Sequence, residues 1–447
     1  MLYTMSVCSS CDTHDASSAG SFCWWGHALG LALLLLALLT SGCAGSEEAS
    51  TSEEEPPTPR TIAATPDSTV RTVQLYRGDD ERAFPVLSMQ GSAPLTLEFD
   101  LLEQDGRPLS AYFIHADRTW QRDLSPSQYM RSFANESLLD YRPSRSTDVP
   151  YVHYTYEFPN DTVEFTVSGN YILRITEQGR RDDVLFEIPF YVSEQQTSGQ
   201  VELEALRQPG TSVPPLRPTL TFTPPDDLRG NPYGYTVCFA RHALNEAPRC
   251  STRPLLSEQP ALAFELDRDE AFEPTSPSLL LDLSDLRTST RIVNVDRTRR
   301  PPLVTLEPDR ARFLDGDGAR LGGQSVIRAA LRSLSDGALS GEYVDVRFAL
   351  VPPESASRRG EVTLNGPVDP DGTPMQWEAA NERYTATLRL KQGQHAYQYR
   401  TTDAALQSAM QNAPLRYADR YLTFIYYRDA AVGTDRLLQV QTARPPR

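Results

Sequence analysis

The sequence predicts an all-β protein of tandem immunoglobulin-like β-sandwich domains, preceded by a lipoprotein signal and an acidic tether. Three observations predict this fold class. Apolar and polar residues alternate over many short runs, which is the pattern of strands with one buried face. The 447 residues include 35 prolines and 20 tyrosines, and this composition favours short strands joined by rigid turns. No segment has the length and the 3.6-residue periodicity of a long helix.

Residues 1–42 are predicted to be a signal peptide. Residues 30–39 (GLALLLLALL) form an apolar run that is too short to span a bilayer. The sequence LTSGC that follows, ending at Cys43, resembles the bacterial lipobox, in which the cysteine is acylated and becomes the mature N-terminus. We therefore predict that Cys43 is lipidated. The alternative is an ordinary secretory signal with an incidental cysteine.

Residues 43–67 are predicted to be the lipidated cysteine and a disordered tether. The stretch SEEASTSEEEPPTP is composed of Ser, Glu, Ala, Thr and Pro. Such a segment cannot bury enough apolar area to offset the entropy of ordering it.

Three β domains are predicted after the tether. Residues 68–195 contain seven alternating segments, which suggest a β-sandwich, interrupted by a helical turn from Ser125 to Phe133. Residues 201–304 form the predicted middle β domain, after a polar linker. Residues 313–447 form the predicted C-terminal domain, which resembles early-set immunoglobulin-like modules.

The cysteines indicate an oxidising compartment. Three of the six lie in the predicted signal peptide, so the mature chain keeps Cys43, Cys238 and Cys250. Cys238 lies in an apolar strand and Cys250 follows a turn-prone segment, so we predict a local hairpin disulfide between them. A zinc site would need more ligands than the neighbouring His242 supplies.

Charge and motifs exclude several classes of function. The formal net charge of −16 argues against a nucleic-acid surface, because phosphates would be repelled. No nucleophile elbow, HExxH motif, phosphate loop or dinucleotide fingerprint is present, so we expect a non-enzymatic protein with no cofactor or metal. His115, Asp117 and His153 are the only candidates for a catalytic cleft, and structural histidines are the more common case.

Several short motifs, in the same order as in the family, resemble the N-terminal domain of the type IX secretion system plug proteins of Bacteroidota and their relatives. They are residues 71–76 (RTVQLY), 94–100 (PLTLEFD), 115–117 (HAD) with Trp120, 124–129 (LSPSQY), 151–154 (YVHY), 158–161 (FPND) and 168–171 (SGNY). Residues 388–393 (LRLKQG), 424–428 (FIYYR) and 434–437 (TDRL) resemble the C-terminal part of that family. The single lysine of the chain, Lys391, falls within one of these matches.

The resemblance implies a protein that sits on the periplasmic mouth of the translocon barrel and plugs it when cargo is absent. The implied partners are the outer-membrane translocon barrel protein and, through the lipid anchor, the membrane; nucleic acid is not among them. The implied location is the periplasmic face of the outer membrane. Surface exposure stays open, because the residues after Cys43 also resemble the acidic export signals of surface lipoproteins.

A partner-binding site is expected on the excursion between the strands of the first domain. It would comprise Trp120, Tyr129, Arg131 and Phe133, because loops of a sandwich carry binding residues and aromatic residues are favoured anchors. The alternative is that Trp120 and Tyr129 cap the core of the sandwich.

A second function remains open, that of a carbohydrate-binding envelope lipoprotein. Residues 375–399 resemble a glycogen-binding module, in which sugars stack on exposed aromatic faces. An exposed Trp377 coplanar with an aromatic neighbour would favour this function, and a buried Trp377 would favour a structural role.

Overall fold

The computed structural model describes residues 62–63, 69–131, 135–207, 213–241, 247–255, 260–314, 316–329, 337–356, 360–411 and 420–444. The predicted signal peptide, Cys43 and Phe133 lie outside these residues. The described residues form many short strands and three short α-helices, of which the longest has eight residues. The all-β fold class predicted from the sequence is therefore confirmed.

The first domain contains ten strands and one helical turn. They are β1 (Ile62–Ala63), β2 (Val70–Arg77), β3 (Val86–Ser88), β4 (Leu95–Leu101), β5 (Leu109–Ala116), α1 (Pro126–Tyr129), β6 (Asn135–Leu138), β7 (Tyr141–Pro143), β8 (Val152–Phe158), β9 (Gly169–Glu177) and β10 (Val184–Ser193).

Eighteen strands follow in the described residues. They are β11 (Gly199–Ala205), β12 (Leu216–Phe222), β13 (Tyr235–Arg241), β14 (Arg249–Ser251), β15 (Leu262–Glu265), β16 (Leu279–Asp282), β17 (Ile292–Asp296), β18 (Leu303–Leu306), β19 (Asp309–Arg310), β20 (Ser325–Ile327), β21 (Tyr343–Val351), β22 (Val362–Gly366), β23 (Asp369–Pro374), β24 (Gln376–Glu378), β25 (Arg383–Lys391), β26 (Gly393–Thr401), β27 (Tyr421–Asp429) and β28 (Thr434–Ala443). The helices α2 (Gly337–Ser340) and α3 (Ala404–Gln411) precede β21 and β27.

Two sheets form the sandwich of the first domain. One has the order β1-β10-β9-β5-β6, with β3 added in parallel to β10, and the other has the order β2-β4-β8-β7. Phe99, Phe113 and Phe158 pack between the sheets at 1% exposure or less. The alternating pattern seen in the sequence therefore places one face of each sheet in this core.

Strand β4 departs from that pattern because both of its faces are buried. Leu97 and Phe99 point into the core, as the alternation predicts. Thr96 and Asp100 lie on the other face, yet they are only 6% and 1% exposed. In an isolated sandwich this face would meet water, so a neighbouring domain must cover it.

The second domain is assembled from two distant parts of the chain. Its sheets have the orders β11-β12-β15 and β14-β13-β27-β28. Strand β13 pairs antiparallel with β27 from Tyr235 opposite Tyr427 to Arg241 opposite Tyr421. The last two strands of the chain therefore complete the middle domain.

The third domain is inserted between these two parts. Its sheets have the orders β16-β26-β22-β23, with β20 on β26, and β17-β18-β21-β25-β24, with β19 on β21. The predicted boundaries at 201–304 and 313–447 are wrong in two places: β16 to β18 belong to the third domain, and β27 and β28 belong to the second. Strand pairing between remote segments is decided by burial in three dimensions, which local spacing does not encode.

Candidate functional site

The third domain covers the outer face of the β2-β4-β8-β7 sheet, and a lysine is buried at the contact. Lys391 Nζ, at the end of β25, lies 2.6 Å from Asp100 Oδ2 on β4, and both side chains are 1% exposed. The ammonium also donates to the Ala338 carbonyl at 2.6 Å and lies 4.1 Å from the centre of the Tyr151 ring. The charge is thus met by a carboxylate, a carbonyl and an aromatic face, as a buried ammonium requires.

Tyr343 completes the coordination of the Asp100 carboxylate. Its hydroxyl donates to Asp100 Oδ2 at 2.6 Å and lies 2.6 Å from Thr72 Oγ1. Burial, together with the Asp100 charge, raises the pKa of Tyr343 well above its usual value. The phenol therefore stays protonated and keeps its donor.

His153 on β8 holds the other oxygen of the same carboxylate. Its Nδ1 lies 2.8 Å from Asp100 Oδ1, and its Nε2 lies 3.6 Å from Glu98 Oε1. Burial opposes the charged ring, but the hydrogen bonds to Asp100 and Glu98 prevail and raise the pKa of His153. We call the group formed by Asp100, His153, Tyr343 and Lys391 the buried charge cluster.

Hydrogen bonds at the rim extend this interface. Glu342 accepts from the backbone N–H groups of Asp148 and Val149, at 2.8 Å and 3.2 Å from Oε1. On the other side, Gln74 Nε2 donates to the Ser325 carbonyl at 2.7 Å. The first and third domains therefore meet along a polar seam with its charges at the centre.

The second domain contacts one end of the other sheet of the first domain. Arg436 on β28 donates to both oxygens of Glu194, at 2.8 Å and 2.6 Å. Ser168 Oγ donates to Glu194 Oε1 at 2.6 Å and accepts from the Leu437 N–H at 3.1 Å. The Tyr426 hydroxyl donates to Asn170 Oδ1 at 2.8 Å, so this contact is also specified by polar pairs.

An apolar cluster lies beside these pairs and joins the same two domains. Tyr191 packs 4.9 Å from Phe424 and 5.6 Å from Trp120, measured between ring centres. Its buried members are Ala116, Trp120, Tyr191, Cys238, Ala240, Leu422, Phe424, Tyr426 and Leu437. The first domain therefore contacts the second domain through one sheet and the third domain through the other.

The structure corrects the expected exposure of the predicted partner-binding residues. Trp120 is 8% exposed within the apolar cluster, and Tyr129 is 1% exposed, with its hydroxyl donating to the Phe113 carbonyl at 2.7 Å. Both bury large aromatic area, so the expectation that they project into solvent is wrong. Arg131 is 71% exposed and pairs with Glu164, whereas Phe133 lies outside the described residues.

The motifs that carry the family resemblance meet at these two interfaces. The interface between the first and second domains contains Ser168 and Asn170 from the motif SGNY. It also contains Arg436 and Leu437 from the motif TDRL. The interface between the first and third domains contains one residue from each of three motifs: Asp100 from PLTLEFD, His153 from YVHY and Lys391 from LRLKQG. These interface roles were not predicted from the sequence, although a lone lysine among 43 basic residues was a signal for a specific role.

Two glycines in these motifs are required by close packing. Gly169 has a φ of +148°, and a Cβ there would lie 2.6 Å from His115 Nε2. Gly393 has a φ of +157°, and a Cβ there would overlap the Val326 carbonyl. Side chains at either position would be strained in the backbone as well as crowded.

The three residues considered for a catalytic cleft do not converge. His115 lies on β5 with its Nδ1 2.6 Å from Asp123 Oδ1, while His153 lies on β8 in the opposite sheet. Asp117 accepts from the N–H groups of Thr119 and Gln121, which makes it a turn residue.

Trp377 does not show the geometry expected of a sugar-stacking platform. It is partly buried against the core of the third domain. Its ring meets that of Tyr384 at 5.0 Å and an angle of 65°, so the two are not coplanar. This arrangement gives no support to the carbohydrate-binding alternative.

Cys238 and Cys250 lie directly opposite each other on β13 and β14. Their sulfur atoms are 2.04 Å apart and their Cα atoms 4.0 Å apart, and they are joined as a disulfide. Cys238 is buried in the apolar cluster and Cys250 is exposed.

Across the parts of the chain that the structure describes, none of the helices combines the length and apolarity needed to cross a membrane.

Fold and interfaces together define a three-domain β-sandwich protein in which the first domain contacts both of the others. Residues 70–194, which form that first domain, match the family model described as the type 9 secretion system plug protein 1st domain. The resemblance predicted from the sequence is thereby confirmed for this domain. It links the chain to the type IX secretion system and so to the cell envelope.

One solved structure supports the fold over most of the chain. The crystal structure of a hypothetical protein from Parabacteroides merdae aligns with a TM-score of 0.75 at 21% identity, covering 86% of this chain and 99% of that one. A Salmonella alpha-2-macroglobulin mutant aligns with a TM-score of 0.16 at 11% identity over 84% of this chain and 23% of that one, which is too low to carry an argument. No curated protein sequence matches the chain significantly.

Proposed function

We propose that this protein is an outer-membrane lipoprotein that binds and plugs the periplasmic side of the type IX translocon, without enzymatic activity. The observation that carries the proposal is the match of residues 70–194 to the plug protein family. The placement of that domain between two others supports it, because an element that blocks an aperture must resist deformation.

The architecture limits where the translocon can make contact. The outer face of the β2-β4-β8-β7 sheet is covered at the buried charge cluster, and one end of the other sheet is covered at the apolar cluster. The loops of this domain, and the uncovered part of its second sheet, therefore remain for a partner. The segment around α1 is such a surface, because Ser125, Pro126, Ser127 and Gln128 are exposed while Tyr129 anchors the turn in the core.

The lipid anchor and tether supply the remaining part of the proposal. A lipidated Cys43 would hold the body at the membrane, where even a weak contact is favoured by the raised effective concentration. The acidic part of the tether, ahead of β1, would extend the reach of the body from the membrane.

Affinity purification of the tagged protein from detergent-solubilised envelope tests this function. We expect a large outer-membrane barrel to co-purify, and Arg131→Glu to reduce its yield. Arg180→Glu is the matched control, because Arg180 is 72% exposed and paired with an acidic residue, as Arg131 is. Absence of any barrel, together with unchanged translocon leakiness after gene deletion, would contradict the plug function.

A further inference from the structure

The first domain meets the second and third domains through interfaces of different chemistry. An apolar cluster joins it to the second domain, with Trp120 and Tyr191 on one side and Phe424 on the other. Among the residues that the structure describes, none of the apolar clusters has members from both the first and the third domain. Because exposing apolar surface to water is unfavourable in proportion to its area, the first and second domains should stay joined.

The contact with the third domain depends on polar groups. Around the buried charge cluster, the Ile327 N–H donates to Glu81 Oε2 at 2.7 Å, and the Tyr151 hydroxyl donates to the Ala338 carbonyl at 2.9 Å. The Tyr151 ring also meets the Tyr343 ring at 5.3 Å. Desolvation offsets much of the attraction between buried charges, and water can hydrate these groups again when the domains separate. This interface is therefore the easier of the two to open.

Packing between the first and third domains is incomplete. A cleft of about 500 Å³ lies between them, lined by residues 70–75 of β2 on one side and residues 388–391 of β25 on the other. Surfaces on either side of a gap lose the close contacts that packed surfaces have. Relative motion is the usual behaviour of domains whose interface is not both large and apolar.

One connection between the second and third domains changes its partners from one residue to the next. The Glu273 carbonyl accepts from Arg241 on β13, in the second domain. The next carbonyl, that of Pro274, accepts from Gln411 Nε2 on α3, in the third domain, at 2.6 Å. Hinges are commonly formed by a few residues between elements that move as rigid bodies. The hydrogen bonds place such a point between Glu273 and Pro274.

We propose that the third domain is a separable arm that rotates about residues 273–274 while the first and second domains stay joined, and that the buried charge cluster is the latch that holds it closed. In the open state Asp100 and Lys391 would each be hydrated, and the cleft would open to water. A change in the latch shifts the populations of the two states, because only the closed state contains its contacts. In the function proposed above, the closed state would be the rigid form of the body.

Distances between pairs of spin labels in the purified protein test this opening. In the mature chain with Cys43→Ala, the labels are attached at Leu139→Cys in the first domain, Tyr233→Cys in the second and Phe313→Cys in the third. These side chains are 65%, 71% and 78% exposed, so labelling should not disturb the core. We expect one distance for the pair in the first and second domains, and an additional, minor longer distance for the pair in the first and third domains.

Variants of the latch should increase the longer distance. Lys391→Met removes the ammonium group and should raise the population of the longer distance about tenfold, because the closed state then keeps a buried carboxylate without its lysine. Tyr343→Phe keeps the ring but removes the hydroxyl that bonds to the first domain, and it should raise the population less. Arg389→Met is the matched control on the same strand. Its partner Asp345 lies within the third domain, at 3.0 Å, so the population should not change.

Two results would overturn the proposal. One is an unchanged distance distribution between the first and third domains in both latch variants. The other is a longer distance in both label pairs, because that would indicate general unfolding rather than movement of the third domain. If Lys391→Met does not fold, Tyr343→Phe carries the test, with thermal unfolding as the check on its fold. The translocon is absent from this experiment, so its outcome is independent of the proposed plug function.

Discussion

Lys391 Nζ lies 2.6 Å from Asp100 Oδ2 with both side chains 1% exposed, although 291 residues separate them in the chain. This pair joins the first domain to the third at the centre of their interface. A buried pair of this kind is specific rather than strongly stabilising, because desolvation of the two charges offsets much of their attraction.

Removing the lysine should be far more damaging than its pair energy suggests. Lys391→Ala removes the cation from Asp100 Oδ2 and leaves His153 as the remaining charged donor to this buried carboxylate, and we expect a loss of about 3–5 kcal/mol in the free energy of unfolding. Urea denaturation measures this loss. Arg131→Ala, which breaks the exposed pair with Glu164, is the control and should cost less than about 1 kcal/mol. Equal effects of the two variants would contradict the buried charge cluster.

Stability should fall as the pH rises through the titration of His153. Its folded-state pKa is raised above the ordinary value of about 6.5, so its contribution is fully present below that value and is lost as the pH rises through the folded pKa. The charged groups around it are Asp100 and Glu98 on β4, Lys391 on β25 and Arg142 opposite on β7. In His153→Gln, the unfolding free energy should change less with pH when it is measured from pH 6 to about 9. If the unfolding free energy of the variant varies with pH as it does in the unchanged protein, His153 is not the titrating group.

His395 should give the opposite dependence in the acid range. Burial lowers its pKa to about 4, with the ring accepting from Ser325 Oγ through Nδ1 and donating to the Lys391 carbonyl through Nε2. The unfolded chain then binds a proton that the folded chain does not, so stability should fall as the pH drops from about 6.5 towards 4. His395→Gln should reduce the loss of unfolding free energy at acid pH. The loss at alkaline pH should stay unchanged.

Variants of Tyr129 and Arg131 should have different effects, because Tyr129 packs in the core and Arg131 is proposed to contact the partner. Tyr129→Ala removes a fully buried ring and should lower the unfolding free energy by about 3–5 kcal/mol. Arg131→Glu changes an exposed side chain and should leave thermal unfolding nearly unchanged while reducing barrel co-purification. If Arg131→Glu lowers stability as much as Tyr129→Ala, it cannot report on partner binding.

The hairpin cysteines should be oxidised in protein taken from the envelope. Cys238 and Cys250 are 12 residues apart in sequence, and closing so short a loop contributes about 2–3 kcal/mol in the chain-entropy model. Peptide mapping without reductant should find them linked, and the double change to alanine should reduce stability by that amount. Two free thiols in the untreated protein would refute the linkage.

Membrane attachment should depend on Cys43 and not on the β domains. Cys43→Ala should release the protein from sedimented membranes, because loss of the acyl chains removes the anchor. The thermal unfolding of the body should not change, since the tether contributes no core. Sedimentation of the variant with membranes would mean that another contact holds it there.

The strands at the interfaces could be predicted from the sequence, but the burial of their outward-facing residues could not. Alternation correctly identified β4 and β8 as strands, but it assigned one face of each to water, so Asp100 and His153 were not recognised as interface residues. Trp120 was expected on an exposed excursion from the strands, with capping of the core as the alternative, and the structure buries it in the apolar cluster against the second domain. The local spacing of apolar residues does not indicate burial by a remote part of the chain.

The sequence by itself determined the all-β class, the strands and the family resemblance of the first domain, because alternation, turn residues and motif order are local properties of the chain. Tertiary structure alone decided that β27 and β28 complete the second domain, that the third domain is inserted between β15 and β27, and that Lys391 meets Asp100. These outcomes depend on contacts between apolar faces and charges that are hundreds of residues apart in sequence. Such contacts are determined by packing in three dimensions.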